Sequence, residues 1–534
     1  MQNRERRKIA DNHYALGATY SASTEGDRQN NLEQAILYFR KALDTYTPAA
    51  FPVEWARTQH DLGVIYRELR RGNQQFHLKN AVACLQSSME IYTAEAFPTE
   101  WARTQYDLGL TYLVLQEGNL PMALEKAHAC FQAALAVYIP ERFPSEWARV
   151  QHNLGNLYCL LPDDNRHETL EKAIACYEAS LQVYTRETAP EAWASTHHSL
   201  GNVYSFLPTK NRTAYLHKAI FHYQASLQVY TFEAFPGNWA DTQLSLGDVY
   251  RNLPANNPDI NLQKALACYE DALKVYTYED TPERWATAQN NLGITYNLLS
   301  TVNEQERLAR AIACFQAALQ VFDYERFPLD WAKTQNMLGL TYLDLPGDNL
   351  QYNLLQAIAC FEATLHVYTR ETFSLGWAAL QNNLGHAYCH LTAKDPSAML
   401  LKAIDYHKAA LHVYNRKAFP LDWACTQTSL GGAYTALMQL EQPHNQLYVS
   451  KAISYYRAAL LVYNREDMPE EWTTIQHNLG NAYANMLDGD RQEHLERAIS
   501  CYEAALEGFL SLHMEDHARD VRELLAKARA DIAA

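Results

Sequence analysis

FPVEWARTQHDLGVIYREL, residues 51–69, is the stretch on which the fold turns. It returns as FPTEWARTQYDLGLTYLVL at 97–115 and as FPSEWARVQHNLGNLYCLL at 143–161. The tryptophans keep the count: Trp55, Trp101, Trp147, Trp193, Trp239, Trp285, Trp331, Trp377 and Trp423 stand 46 residues apart, and Trp472 follows after 49. These are all ten tryptophans of the 534-residue chain. A residue type confined to one phase of one period serves the repeat, and a repeat overrides the several-domain expectation that length alone would raise.

Within one repeat, Pro52 supplies the fixed φ of a first helical turn, and Glu54 places a carboxylate at the positive helix end. Trp55, Leu62 and Tyr66, with Ala56 and Gly63 beside them, form a helical stripe over about 18 residues, roughly 27 Å long. A polar break (RRGNQQ here, PDDNRHE or PGDNLQ elsewhere) ends it. Ala81, Val82, Leu85, Ser88, Met89 and Tyr92 then make a second stripe, so each 46-residue unit reads as two antiparallel helices. Gly63 and its equivalents Gly109, Gly155, Gly201 and onward sit mid-helix, where glycine costs about 1 kcal/mol against alanine. That repeated cost implies close approach of a neighbouring helix. Ala35, Ala173, Ala265, Ala311 and Ala403, small residues early in the second helix, fit the same account.

Leu-Gly-x-x-Tyr in one helix, followed by Ala-x-x-x-[Phe/Tyr]-x-x-Ala in the next (Ala173, Tyr177 and Ser180, or Ala311, Phe315 and Ala318), resembles the tetratricopeptide repeat. The family's usual period is about 34. The longer form here, with phrases such as QNNLG and ALxVYTRE, is similar to bacterial repeats found beside caspase-like CHAT proteases and in multidomain signalling proteins. The tyrosines of the motif, from Tyr20 to Tyr483, number eleven. The expected architecture is therefore all-α: a right-handed α-solenoid of eleven antiparallel helix pairs over 1–510. A capping helix over 511–534 follows, with Val521, Leu524, Leu525, Ala528 and Ile532 on one face. The 49-residue step is assigned to a longer turn, QLEQPHNQLYVS.

The resemblance implies that the first helix of each pair lines a concave groove, with the positions two, five and nine after the Trp facing it. Two after the Trp the chain has Arg57, Arg103 and Arg149 in successive repeats. Five after, it has His60, Tyr106, His152 and His198, and nine after, Asn156 and Asn202. Arginine offers planar bidentate donors for carboxylate or phosphate, and asparagine both donates and accepts. These nine residues are the candidate partner-binding groove, for a protein or peptide segment that is acidic or phosphorylated. The alternative pairing, Arg57 with Asp61 and Arg103 with Asp107 at helical spacing, stands beside it.

Other classes find less support. A net charge of −16 disfavours RNA and anionic membranes, and RNA binding by Arg, His and Tyr is the weakest alternative. No apolar run approaches the roughly 18 residues of a membrane span, and the N-terminus has no apolar signal core, so a cytoplasmic protein is expected. Seven of the ten cysteines (Cys84, Cys130, Cys176, Cys268, Cys314, Cys360 and Cys501) share the core phase of the second helix, without a second Cys at metal-ligand spacing. His197-His198 and His167-Glu168 lack a third partner, and no phosphate loop is present. The expectation is a non-enzymatic protein–protein interaction scaffold with no cofactor and no metal. A second reading is a regulatory or sensing arm that controls a separate effector such as a caspase-like protease.

Overall fold

The computed structural model describes residues 2–115, 120–162, 165–207, 211–300, 303–347, 349–440 and 445–533. Among them it is all-α, with 23 helices and no strand. The chain falls into two compact units, residues 1–256 and 257–534. The first unit holds α1 (Gln2–Ala22), α2 (Arg28–Leu43), α3 (Pro52–Glu68), α4 (Gln74–Ser88), α5 (Pro98–Val114) and α6 (Leu120–Leu135). It continues with α7 (Pro144–Leu160), α8 (Arg166–Leu181), α9 (Pro190–Phe206), α10 (Arg212–Ser226) and α11 (Pro236–Asn252). The second holds α12 (Pro258–Ala272), α13 (Pro282–Leu298), α14 (Glu304–Ala318), α15 (Pro328–Asp344), α16 (Leu350–Thr364) and α17 (Ser374–His390). It ends with α18 (Pro396–Ala410), α19 (Pro420–Leu440), α20 (Gln446–Ala459), α21 (Pro469–Ala484), α22 (Arg491–Ser511) and α23 (Glu515–Ala533). Odd-numbered helices up to α21 begin each repeat, and even-numbered helices follow them. Of the turn QLEQPHNQLYVS, residues 441–444 lie outside the described residues.

The two helices of a repeat start by different chemistry. First helices use proline: Phe51, Phe97 and Phe143 stand at the cap without a side-chain bond, and Pro52, Pro98 and Pro144 follow. Several second helices use a side-chain cap. Asn73 accepts from the Phe76 N–H at 3.1 Å, Asp395 from that of Ala398 at 3.0 Å, and Asp490 from that of Gln492 at 3.0 Å. The second stripe is shorter than its apolar pattern: α4 closes at Ser88, and Tyr92 lies beyond it in the turn, edge-on to Phe97 at 5.5 Å.

The mid-helix glycines receive the partner helix of their own pair. A Cβ at Gly109 would stand 2.7 Å from the Phe131 ring, one at Gly155 2.7 Å from Tyr177, and one at Gly201 2.6 Å from Tyr223. The same holds at Gly339 against Phe361 and at Gly480 against Tyr502, both 2.6 Å. Ala35, Ala173, Ala265, Ala311 and Ala403 have no solvent exposure, so the helices meet across small residues and seat one aromatic ring in the gap. Tryptophan then joins one repeat to the next. Ala318, the last residue of α14, and Val321 and Phe322 in the turn after it pack with Trp285 of the same repeat and with Phe327 and Trp331 of the next. All ten tryptophans are half-buried in such positions. At the C-terminal end, Ala518, Val521, Leu525 and Ala528 of α23 join the core that contains Tyr502 and Phe509 of α22.

Gly201→Ala must displace the fully packed Tyr223 ring, whereas a Cβ at Gly237, in the first turn of α11, meets nothing within 4 Å. Gly201→Ala is expected to destabilise by about 1–3 kcal/mol despite its better helix propensity, and Gly237→Ala to be neutral or slightly stabilising. Urea unfolding followed by circular dichroism checks this; equal midpoints for the two variants would remove the close-approach account.

Candidate partner-binding site

First helices of neighbouring repeats touch each other directly (α3 with α5, α5 with α7, α7 with α9), and all nine candidate residues lie on these four helices. Arg57, Arg103 and Arg149 are all exposed there. The guanidinium of Arg57 lies over the Tyr14 ring at 4.1 Å, and that of Arg149 over Tyr106 at 4.7 Å. The carboxylates that could have neutralised them are engaged elsewhere. Asp61 accepts the Tyr14 hydroxyl at 2.5 Å, and Asp107 accepts Arg67 at 3.0 Å and meets His60 Nε2 at 3.0 Å. Among the described residues, neither aspartate pairs with Arg57 or Arg103.

The four candidates five after the Trp form bonds between successive first helices. His60 reaches Asp107 of the next repeat, and Tyr106 accepts from Asn153 Nδ2 at 3.0 Å. His152 Nδ1 meets Thr196 Oγ1 at 2.9 Å, and His198 Nδ1 meets Thr242 Oγ1 at 2.9 Å. Thr196 and Thr242 donate their own hydroxyls to the carbonyls of Ala192 and Asn238, so both imidazoles donate from Nδ1. Asn382 Nδ2 donates to Thr426 Oγ1 at 2.7 Å in the same way in the second unit. His60 and Tyr106 are buried, and burial pushes His152 down to about 4. These side chains are held by the joint.

Nine after the Trp, Asn156 Oδ1 accepts the Tyr177 hydroxyl at 2.7 Å and Asn202 Oδ1 accepts that of Tyr223 at 2.6 Å. The two asparagines line one cleft of about 490 Å³ between α7, α8 and α9, and their NH₂ groups are the part not used in these bonds. Its rim carries Leu160 and Phe206, 55% and 75% exposed. With Val114, 46% exposed, they are the final residues of α5, α7 and α9. This apolar row was not among the nine candidates. Its signal was present in the sequence: large apolar residues at the last helical position of three successive repeats, where nothing in the pair's own core asks for them.

His197, outside the candidate set, points away from this face into the pair itself. Its Nδ1 stands 2.9 Å from His222 Nδ1, and burial pushes both imidazoles down to about 4. The seven cysteines of the core phase are buried or half-buried thiols, and burial raises Cys84, Cys130 and Cys176 to about 11. No helix among the described residues is long and apolar enough to cross a membrane.

The His60–Asp107–Arg67 joint makes a pH prediction. Burial alone would lower His60, yet its bonds to Asp107 and Asp61 raise it above its ordinary 6.5. A raised folded value means that its stabilisation is complete below about 6.5 and fades as pH rises through the folded pKa. Asp107 is held below its ordinary 3.8: burial opposes this, and the His60 bond and the Arg67 charge outweigh it. Its share is lost as pH falls below that value. The urea midpoint should therefore drop as pH rises above 6.5 in the wild type and stay flatter in His60→Asn. Asp107→Asn should cost about 3–5 kcal/mol at pH 6 by stranding the buried His60 and the half-buried Arg67. Parallel slopes in wild type and His60→Asn would show that the joint does not titrate.

Comparison with known proteins adds the following. No family model matches the sequence, and no curated protein matches it. Among solved structures, the chain is similar to the APC/C hetero-tetramer Cut9-Hcn1 (14% identity, 97% of this chain and 96% of that one, TM-score 0.36). It is also similar to yeast Tom70 (14% identity, 98% and 96%, TM-score 0.31) and to the TPR domain of P58(IPK) (13% identity, 81% and 99%, TM-score 0.25). At such identities the likeness concerns the helical-repeat fold and nothing further.

Proposed function

We propose that this chain is a non-catalytic protein-binding scaffold, and that the first-helix face of residues 52–206 holds an acidic or phosphorylated segment of a partner. The observation that carries this is the state of the arginines. Three exposed guanidinium groups recur at one phase, and the aspartates nearest in sequence are consumed by Tyr14, His60 and Arg67. Arg57 and Arg149 rest against tyrosine rings, a contact that would restrict the guanidinium and lower the entropy lost when it grips a carboxylate or phosphate. Burying these charges without an anionic partner would be costly, so the row favours an anionic ligand over an apolar one.

The apolar row supports a two-part ligand. Arg103 and Val114, or Arg149 and Leu160, are separated by eleven positions on one helix, about 16 Å. An extended segment of about five residues spans that distance. Its anionic end would meet the arginines, and its apolar end would rest on Leu160 and Phe206 beside the free amide groups of Asn156 and Asn202. His60, Tyr106, His152 and His198 would set the spacing of the arginines in this reading and would not touch the ligand.

Selection of binders from a random peptide library, displayed with and without phosphoserine, tests the proposal. The wild-type chain should enrich acidic or phosphorylated peptides with a large apolar residue. Arg57→Glu/Arg103→Glu/Arg149→Glu should lose them by at least about tenfold, and Phe206→Ala by a smaller factor, at unchanged helicity. Enrichment that survives the triple charge reversal would sink the proposed site.

A further inference from the structure

The cleft between α7, α8 and α9 has an equivalent five repeats further along, walled by α17, α18 and α19 in the second unit. It encloses about 250 Å³. Its furnishing is different at every position that matters. Where the first cleft has Asn156, Leu160 and Tyr177, the second has His386, His390 and His407, and Gly432 and Ala436 replace Asn202 and Phe206. In eleven repeats, each of the three histidine positions holds histidine once, and all three occur in the same pair. Repeats that drift independently would scatter such departures.

His407 takes the place of the aromatic ring against the mid-helix glycine. A Cβ at Gly385 would stand 2.6 Å from its Cε1, and the residue is 1% exposed. Its protonation is set by a chain of bonds. Thr426 donates to the Asp422 carbonyl at 2.7 Å, Asn382 Nδ2 donates to Thr426 Oγ1, and Asn382 Oδ1 therefore accepts from His407 Nδ1 at 3.0 Å. Nδ1 carries the proton, and Nε2 is left as a buried lone pair with no partner in the protein. An amide oxygen that fixes Nδ1–H, as Asn382 Oδ1 does here, while Nε2 stays open is the usual arrangement of a metal-ligating histidine.

His386 and His390 stand one helical turn apart on α17, exposed, with ring centroids 4.7 Å apart. Two imidazoles at that spacing on one helix can grip one ion. No Lys or Arg lines this cleft, in contrast to Arg166 in the first, so nothing recruits an anion. We propose that His386, His390 and His407 form a site for a divalent transition metal of the Zn²⁺ class, with His407 Nε2 as the buried ligand and the α17 pair as the closing rim. Among the described residues no three such side chains already stand at ligating separation, so binding would require the two exposed imidazoles of His386 and His390 to turn over the cleft. Imidazole donors select Zn²⁺, Ni²⁺ or Cu²⁺ over Mg²⁺ and Ca²⁺.

The test uses the untagged full chain, stripped with chelator and titrated with Co²⁺ by visible absorption and with Zn²⁺ by calorimetry. His407→Phe restores the residue type of Phe315 and Phe361 at that phase, so the helix pair keeps its packing, which thermal unfolding verifies. Should that variant unfold, His386→Asn/His390→Leu, which alters exposed positions only, carries the test alone. The expected result is one tight site in the wild type, weakened by at least about tenfold in His407→Phe and lost in the double variant. Equal affinity in wild type and variants, or a wild type without Co²⁺ bands, would overturn the assignment.

Discussion

A hydrogen atom where a methyl group would not fit holds this molecule together. In nearly every pair, an aromatic ring from the second helix lies against the glycine of the first, at a distance that a Cβ would violate. Alanines with no exposure complete the contact from the other side. Glycine in mid-helix is unfavourable in isolation, and the ring it admits more than offsets that through the apolar area it buries. Once the pair is locked in this way, its remaining apolar surface is a joint, and half-buried tryptophans close that joint against the next pair. The long period follows from the same economy of contacts: the Pro-x-x-Trp segment extends the first helix to 17 residues and carries the ring that meets the preceding repeat.

Variation between repeats and freedom to bind are separate matters here. The position five after the Trp changes among histidine, tyrosine and asparagine, which makes it look like a reader of ligands. His60, Tyr106, His152, His198, Asn290 and Asn382 instead bond the next first helix, most often at a threonine whose hydroxyl already donates backward along its own helix. Several residue types satisfy that joint because an acceptor hydroxyl needs only one N–H donor. The arginines two after the Trp face the opposite situation. Asp61 and Asp107, four residues on from Arg57 and Arg103, bond other partners, and the tyrosine rings beside Arg57 and Arg149 contact the cations without neutralising them.

A stacked repeat also leaves a cleft at the end of its first helices, bounded by the same few phases each time. The backbone frame is constant, so its chemistry is set by about five side chains. Asparagine, leucine, tyrosine and phenylalanine make an amphipathic slot in the first unit, while histidine, glycine and alanine make a small nitrogen-lined one in the second. Exchange at these phases leaves the glycine–ring lock intact when the ring is replaced by another flat one, as His407 shows.

Period, pairing and helix starts were legible in the chain because each rests on local rules: a 46-residue recurrence, apolar spacing of three and four, proline at a first turn, Asn or Asp before a second. The close approach at glycine was legible too, since a repeated unfavourable residue calls for a compensating neighbour. Which polar residues remain open to a partner was not, because that depends on atoms more than 40 positions away. His60 meets Asp107, Tyr106 meets Asn153, and His198 meets Thr242 only after two repeats have stacked. The same holds for the histidine cleft: His386 and His390 declare themselves on one helix, but His407 joins them from the partner helix, and its open nitrogen follows from a hydrogen-bond chain that runs through a third. Local sequence sets dihedrals and periodicity through short-range sterics and burial; the pairing of polar groups is settled by contacts that exist only in the stacked state.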